Sequence, residues 1–513
     1  MVKQAESPQK RGLLDKIENV GNKMPDITML FFMATLICLG LSWLLSLFSY
    51  DYIHPVTQQP IAVVNLLTAS GIMGLMSSLV KNFVNFPPLG MTIAATLGIG
   101  IAESSGYIRN VLQRLLAVVP LQAVTPSVIM IGILAHVASD SAYVILMPVA
   151  AYIFYKTGKH PLAGIAAGFA GLAGGFTASY TPSIIDPIMA GFTQSAAQII
   201  DPSYQVNVLC NYFFSVASTF AVLAACWYIT DKIVEPRLQA SMPVDVEQID
   251  QHSEQPTALE VKAYRLANLT FITFAVALVA LMVPETSMFR GPDGSLTSPK
   301  APAMQMIVPL LLLFFAVPGL VYGFVSKTFS SMKDVTKAME NVTTTLISFI
   351  VFAFFAAQFL YCFGQSQIGA LIALSGAEAL KALALPGQVT ILGVILLTAM
   401  LNLIITSASS KWAILAPVLV PMLMMVGLSP ELTQAAFRIS DSAVNVATPM
   451  FAFYPLIIAY MQRYSTTAGV GTLVSMMLPY TIGLLIAFTA MLFLFWGFEI
   501  PLGFGASYTY SAN

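Results

Sequence analysis

Charge is scarce in this chain. Asp, Glu, Lys and Arg make up only 9% of its 513 residues, against 57% hydrophobic residues, whereas soluble domains carry about 25% charged residues. So small a polar supply cannot cover a soluble globule of this length, and lipid must serve as the solvent. Cysteine and histidine are scarce too. Cys38, Cys210, Cys226 and Cys362 lie in or beside apolar stretches, with no metal-ligand or redox spacing, and read as small hydrophobes within helices. The four histidines form no HExxH or other cluster, so nothing points to a metallohydrolase. A net charge of −1 offers no basic surface for nucleic acid. No cleaved leader is expected, because the first 24 residues are polar and the apolar run beginning near Pro25 is long enough to span.

Long apolar runs are what the chain has in abundance. With about 20 apolar residues needed per crossing, nine full spans are expected, near 27–49, 86–106, 162–200, 207–229, 266–283, 302–325, 340–361, 432–461 and 469–497. Two further apolar regions, 126–157 and 388–426, are too long for one crossing. Each has a polar cluster at its middle, Ser139 to Ser141 and Thr406 to Lys411. Both read as helix–turn–helix hairpins that enter and leave on one side.

The basic residues fit that arrangement. With the N-terminus inside, 17 of the 23 Lys and Arg residues fall in inner segments and four in outer ones. The other two, Lys411 and Arg438, lie at membrane depth. This is the positive-inside pattern, and a single crossing by either hairpin would weaken it. The expected orientation is therefore N-terminus cytoplasmic and C-terminus periplasmic. Residues 230–265 read as a polar inner linker between the halves, 284–301 as an outer loop, and 63–82 as a segment along the outer interface.

The two halves resemble each other. DSAYVILMP (140–148) closes the first hairpin and SSKWAILAP (409–417) the second, which aligns Tyr143 with Trp412 and Pro148 with Pro417. Each hairpin is followed by a span interrupted by polar residues, GGFTASYTPSIIDP (174–187) and RISDSAVNVATP (438–449). The first repeat thus covers 126–200 and the second 388–461. Opposite sidedness makes them an inverted repeat, the architecture of many secondary transporters. Irregular backbone at membrane depth survives only against protein or water. Two hairpin tips meeting two broken helices pool free N–H and C=O groups where a solute or ion binds.

Ionisable residues in such a place are functional candidates, since each costs at least about 2.5–3.5 kcal/mol to insert. Asp186, Arg438 and Asp441 stand out. Arg438 and Asp441, at i and i+3, could also neutralise each other on one helix face. Asp186 has no local partner, and a lone buried carboxyl suits a proton carrier. Asp140 and Lys411 sit at the hairpin tips, where they pair, bind solute or face water. Ser139, Ser141, Thr406, Ser407, Ser409 and Ser410 offer oxygens to a cation or carboxylate, or cap helices. Ser139, Ser141 and Ser407 are the place where a sodium ion would sit. Asn402 donates and accepts, and Trp412 either stacks on an aromatic solute or anchors its hairpin. Pro430 and Pro449 shape the backbone.

The segments ENVGNK (18–23), KNFVNFPPLG (81–90), GIGIAE (98–103), GKHPLAG (158–164), TDKIVEPRL (230–238), SASSKWAILAP (407–417), RISDS (438–442) and GTLVSMMLPY (471–480) resemble the p-aminobenzoyl-glutamate transporter (AbgT) family along nearly the whole chain. The resemblance implies one transporter domain over 1–513 in the bacterial inner membrane. It also implies a homodimer, each protomer with nine spans and two hairpins around a bowl open to the cytoplasm. Its members import p-aminobenzoyl-glutamate or export sulfonamide antimetabolites, small anionic aromatic solutes, on an ion gradient and without a cofactor. The family's functional positions correspond to Asp186, Asn402, Ser409, Trp412, Pro430, Arg438, Asp441 and Pro449. Lys411 departs from the family's usual uncharged residue, which leaves the coupling ion open between H+ and Na+. Two other readings remain: a membrane-embedded hydrolase, for which His136 beside Asp140 is the available base, and an ion channel.

Overall fold

The computed structural model describes residues 26–117, 119–135, 141–244 and 257–511, all of them helix, turn or irregular segment, with no strand. The first helices are α1 (Ile27–Leu45), α2 (Ala69–Val84), α3 (Pro87–Ser104) and α4 (Tyr107–Ala117). The region expected to form the first repeat holds α5 (Val124–Ala135), α6 (Ser141–Lys156), α7 (Pro161–Phe169) and α8 (Ile185–Ala197). Next come α9 (Tyr212–Ile229), α10 (Glu235–Ser241), α11 (Ala258–Met282), α12 (Pro302–Gln305) and α13 (Ile307–Ser326). They are followed by α14 (Met332–Thr345), α15 (Ile347–Gln365) and α16 (Ile368–Ala382). The region expected to form the second repeat holds α17 (Gly387–Asn402), α18 (Ala408–Met424), α19 (Pro430–Asn445) and α20 (Tyr454–Gln462), followed by α21 (Val470–Gly497).

Seven helical stretches among the described residues are long and apolar enough to cross a bilayer: Thr28–Leu45, Ala69–Ser104, Tyr212–Ser241, Ala258–Met282, Ile307–Ser326, Ile347–Gln365 and Val470–Gly497. The other two expected spans, 162–200 and 432–461, are the interrupted ones. In the first, α7 passes through a π turn at Ala170–Gly174 and an irregular stretch before α8 begins. In the second, α19 stops at Asn445 and Val446 to Phe453 turn before α20. Proline explains the second break, since Pro449 cannot continue the hydrogen-bond ladder of α19.

Several sequence expectations need correction. Within 63–82, residues from Ala69 on are helical, and α2 runs almost directly into α3 through Asn85 and Phe86. The expected 340–361 span is split at Leu346 into polar α14 and apolar α15. The 230–265 linker is helical at both ends, as α10 on one side and α11 on the other; residues 245–256 lie outside the described residues. Two contacts pin its first end. Lys159 Nζ lies 2.7 Å from Asp231 Oδ1, and Glu235 Oε1 accepts from the His160 amide at 2.8 Å.

Burial is graded as a membrane bundle requires. In α11 only Ala263 and Ala267 are buried, while Leu269, Ile272, Val276 and Val279 are exposed apolar residues, as expected of a helix facing an apolar surrounding. At the other extreme, every residue of α19 is buried, as is every residue of α7. The two broken helices are therefore the innermost elements. Close packing between α3 and α13 depends on glycine. A Cβ on Gly98 would stand 2.3 Å from the Leu312 carbonyl oxygen, and one on Gly319 would stand 2.7 Å from Ala102 Cα.

Candidate functional site

The site grows from how α17, α18 and α19 begin and end. Helices α17 and α18 have 16 and 17 residues, about 24–26 Å of helix. That is less than a hydrocarbon core of about 30 Å. They meet at Leu403 to Ser407, where Ser407 caps α18 by accepting from the Ser410 amide. Ser429 caps α19 by accepting from the Leu432 amide at 3.1 Å, with Pro430 in the first helical position. These caps fix which side chains α18 and α19 present to each other and to α8.

Four buried charges then resolve into two ion pairs. Arg438 NH1 lies 2.7 Å from Asp186 Oδ1, joining α19 of the second repeat to α8 of the first. Asp186 Oδ2 also accepts from the amide and hydroxyl of Ser183 at 2.8 and 3.3 Å. Lys411 Nζ lies 2.6 Å from Asp441 Oδ1 and donates to Asn402 Oδ1. Asn402 Nδ2 in turn donates to the Asp441 carbonyl at 3.0 Å and to Asn445 Oδ1 at 3.1 Å. Lys411 is 1% exposed and Asn402 fully buried, so this cluster lies inside the bundle. The local Arg438–Asp441 pair open to the sequence does not form, because each residue has a closer, oppositely charged partner on another helix. Asp186 is likewise no lone carboxyl.

A cavity of about 490 Å³ lies beside these pairs, within the range of small-molecule sites. Its walls come from both repeats and from the surrounding helices. The turn between α17 and α18 and the start of α18 supply Thr406 to Ser409, the first broken helix Pro182 to Ile185, and the end of α19 Asn445. Tyr143, Phe176, Phe451 and Phe453 give it aromatic walls, and Tyr143 stacks on Phe453 with centroids 4.2 Å apart. Thr92 and Glu103 of α3 and Thr345 of α14 add polar groups. A shallow groove of about 550 Å³ between α9 and α21 carries Tyr228, Leu478 and Ile482, all exposed, with Arg237 and Ser475 also in its lining.

The expected site residues divide accordingly. Ser409 and Ser407 line the cavity, while Asp186, Arg438, Lys411, Asp441 and Asn402 form the buried layer behind it. Trp412 is fully buried one turn further along α18 and does not line the cavity. Its Nε1 donates to Thr193 Oγ1 at 2.9 Å, and its ring lies 4.5 Å from that of Phe437. It anchors the second hairpin to α8 and α19. Pro430 stands at the far end of α19, about 22 Å of helix from Asn445, and Pro449 sits half-buried in the turn after that helix. Asp140 and Ser139 lie outside the described residues, as does the side chain of Ser141, and Ser407 is engaged as a cap. Sequence reasoning missed Tyr143, Phe451 and Phe453 as cavity walls, and Glu431. The alignment of Tyr143 with Trp412 was the available signal for the first.

Residues 12–510 match the model of the AbgT transporter family. The chain belongs to that family. The p-aminobenzoyl-glutamate transport protein of Escherichia coli (strain K12) is 33% identical over 499 residues, 97% of each chain. Two solved AbgT structures share the fold with a TM-score of 0.88 each. One is the Alcanivorax borkumensis YdaH transporter, described as having an unusual topology, at 38% identity over 93% of this chain and all of that one. The other is Neisseria gonorrhoeae MtrF, described as illuminating a class of antimetabolite efflux pumps, at 40% identity over 97% of this chain and all of that one. This AbgT transporter is thus a multi-pass helical membrane protein of a bacterial family, with two buried ion pairs packed around its broken helices.

Proposed function

We propose that this transporter moves p-aminobenzoyl-glutamate, or sulfonamide-like compounds with the same p-aminophenyl group, by ion-coupled alternating access. The observation that carries the proposal is the cavity at the junction of the two broken helices, aromatic on one side and backed by two buried ion pairs. Tyr143, Phe451 and Phe453 suit an aryl ring. The hydroxyls of Ser407 and Ser409, which line the cavity, can donate to a carboxylate there. Residues 126–157 and 388–426 act as re-entrant hairpins opening to opposite sides, so that motion of the hairpin-bearing core exposes the cavity to each side in turn. The chain sits in the inner membrane as a homodimer, with its N-terminus cytoplasmic and C-terminus periplasmic, as the distribution of basic residues supports. Protons are the favoured coupling ion, since Lys411 already occupies the Asp441 carboxylate that a sodium ion would need.

Flux into proteoliposomes of radiolabelled p-aminobenzoyl-glutamate and of a sulfonamide, under imposed pH and sodium gradients, tests the proposal. Wild type is expected to move at least one of them, and Asp186→Ala and Asp441→Ala neither. Wild-type flux in both variants would remove the ion pairs from the mechanism.

A further inference from the structure

Five buried side chains form one polar stripe along α19. Glu431, Gln434, Arg438, Asp441 and Asn445 follow at alternating steps of three and four, the spacing of a single helix face. The stripe runs from the Ser429 cap to the cavity, where Asn445 forms part of the wall. Two of its charges are balanced, Arg438 by Asp186 and Asp441 by Lys411. Glu431 is the exception. It is 1% exposed, and among the described residues no Lys, Arg or His pairs with it.

We propose that Glu431 is a proton-binding site of this transporter, distinct from the two ion pairs and loaded through Tyr204; the inference rests on the transport reading above. Arg438, Asp441 and their partners Asp186 and Lys411 sum to zero charge, so an ionised Glu431 leaves the stripe with one net negative charge. An uncompensated buried carboxylate costs several kcal/mol. One proton taken from water onto a carboxylate oxygen removes that charge and leaves a neutral acid able to hydrogen-bond.

The surroundings of Glu431 suit holding a proton. Tyr204 OH lies 3.1 and 2.9 Å from its two carboxyl oxygens. Cys210 stands nearby, accepting from Gln434 Nε2 at 3.5 Å. Asn211 Nδ2 donates to the Glu431 carbonyl at 3.0 Å. Of the helices packed on α19, α8 brings Asp186 and α18 brings Lys411, both already paired. Neither α17 nor α21 has an Asp, Glu, Lys, Arg or His.

Tyr204 leads outward. It is half-buried, its ring lies 5.7 Å from that of Tyr510, and Tyr510 OH reaches Asp201 Oδ2 at 3.4 Å. Ser203, Gln205 and Thr509 around it are exposed. Inward, Gln434 accepts from Thr193 at 2.6 Å, and Thr193 accepts from Trp412, so a shift at the start of α19 reaches the second hairpin. The packing seen here accommodates the protonated acid.

Two measurements on the full chain test the proposal. In infrared difference spectra of the purified protein, wild type is expected to show a neutral carboxylic-acid C=O band at neutral pH that vanishes in Glu431→Gln. Tyr204→Phe removes the phenol that lies 2.9 Å from the carboxyl, so in that variant the band should shift in frequency. In proteoliposomes, one coupled proton gives about tenfold accumulation of p-aminobenzoyl-glutamate per unit of pH gradient. Glu431→Gln is expected to abolish that dependence and to keep exchange at equal pH. A band unchanged in Glu431→Gln, no shift in Tyr204→Phe, or full pH-driven accumulation in Glu431→Gln would each overturn the proposal. A chain that moves no probe yet loses the band in Glu431→Gln would refute the transport reading and leave the proton site standing.

Discussion

Arg438 and Asp186 are 252 positions apart in the chain, yet their side chains meet at 2.7 Å, one from each repeat. This pair ties the two broken helices together at the layer behind the cavity. It is also the kind of contact that must break or slide if the repeats move against each other.

The pair should show strong coupling in stability. Arg438→Ala leaves Asp186 as a buried unpaired charge, a loss of about 3–5 kcal/mol. Adding Asp186→Ala removes that charge, so the double variant should be more stable than Arg438→Ala alone. Unfolding in mixed detergent micelles over the double-mutant cycle measures the difference. Additive effects would mean that the pair contributes nothing in the folded protein.

Lys411→Ala should make transport depend on sodium. Removing the ammonium leaves the Asp441 carboxylate and the Asn402 carbonyl oxygen facing a vacated space, a set of oxygens suited to a hard cation. Wild type should be indifferent to replacement of sodium by choline. Flux of the variant in the two media is the test, and equal low flux in both would show that no cation takes the lysine's place.

Aromatic substitutions should separate anchoring from binding. Phe453→Ala removes a cavity wall and should raise the apparent KM for an aryl solute about 2- to 10-fold, the worth of one aromatic contact. Trp412→Phe keeps a ring against Phe437 and loses the bond to Thr193, so it should lower stability by about 1 kcal/mol and change KM little. A large KM effect from Trp412→Phe would place the indole against the solute after all.

Gly98→Val should loosen the frame around the site. A side chain there collides with the backbone of α13 at Leu312, and overpacking of this kind costs about 1–3 kcal/mol. The melting temperature in detergent should fall, while Gly90→Ala, at a position with no neighbour within 4 Å of an added Cβ, should leave it unchanged.

Much of this protein was legible in its residues alone. Apolar runs mark the long helices because a crossing must be both long and apolar, and polar residues with proline inside such a run mark where a helix breaks. The depth of Asp186, Lys411, Arg438 and Asp441 was evident for the same reason. Amphipathic helices escaped that reading. In α4, Ile108, Leu112 and Leu116 are buried at steps of four, a periodic signal that a search for apolar runs passes over. In α14, the Ser331–Asp334 capping box was the overlooked sign.

Which charge meets which was decided only by the fold. A sequence offers Arg438 an acid three residues away, and local spacing favours that choice. Packing of α8 and α18 against α19 brings Asp186 and Lys411 closer than Asp441 and Arg438 come to each other, because side chains on adjacent helices point into one shared interface. The same packing withdrew Trp412 from the cavity, put Phe451 and Phe453 into its wall, and left Glu431 without a cation. Composition sets the solvent and the length of each helix; partnership between distant side chains is a property of the assembled bundle.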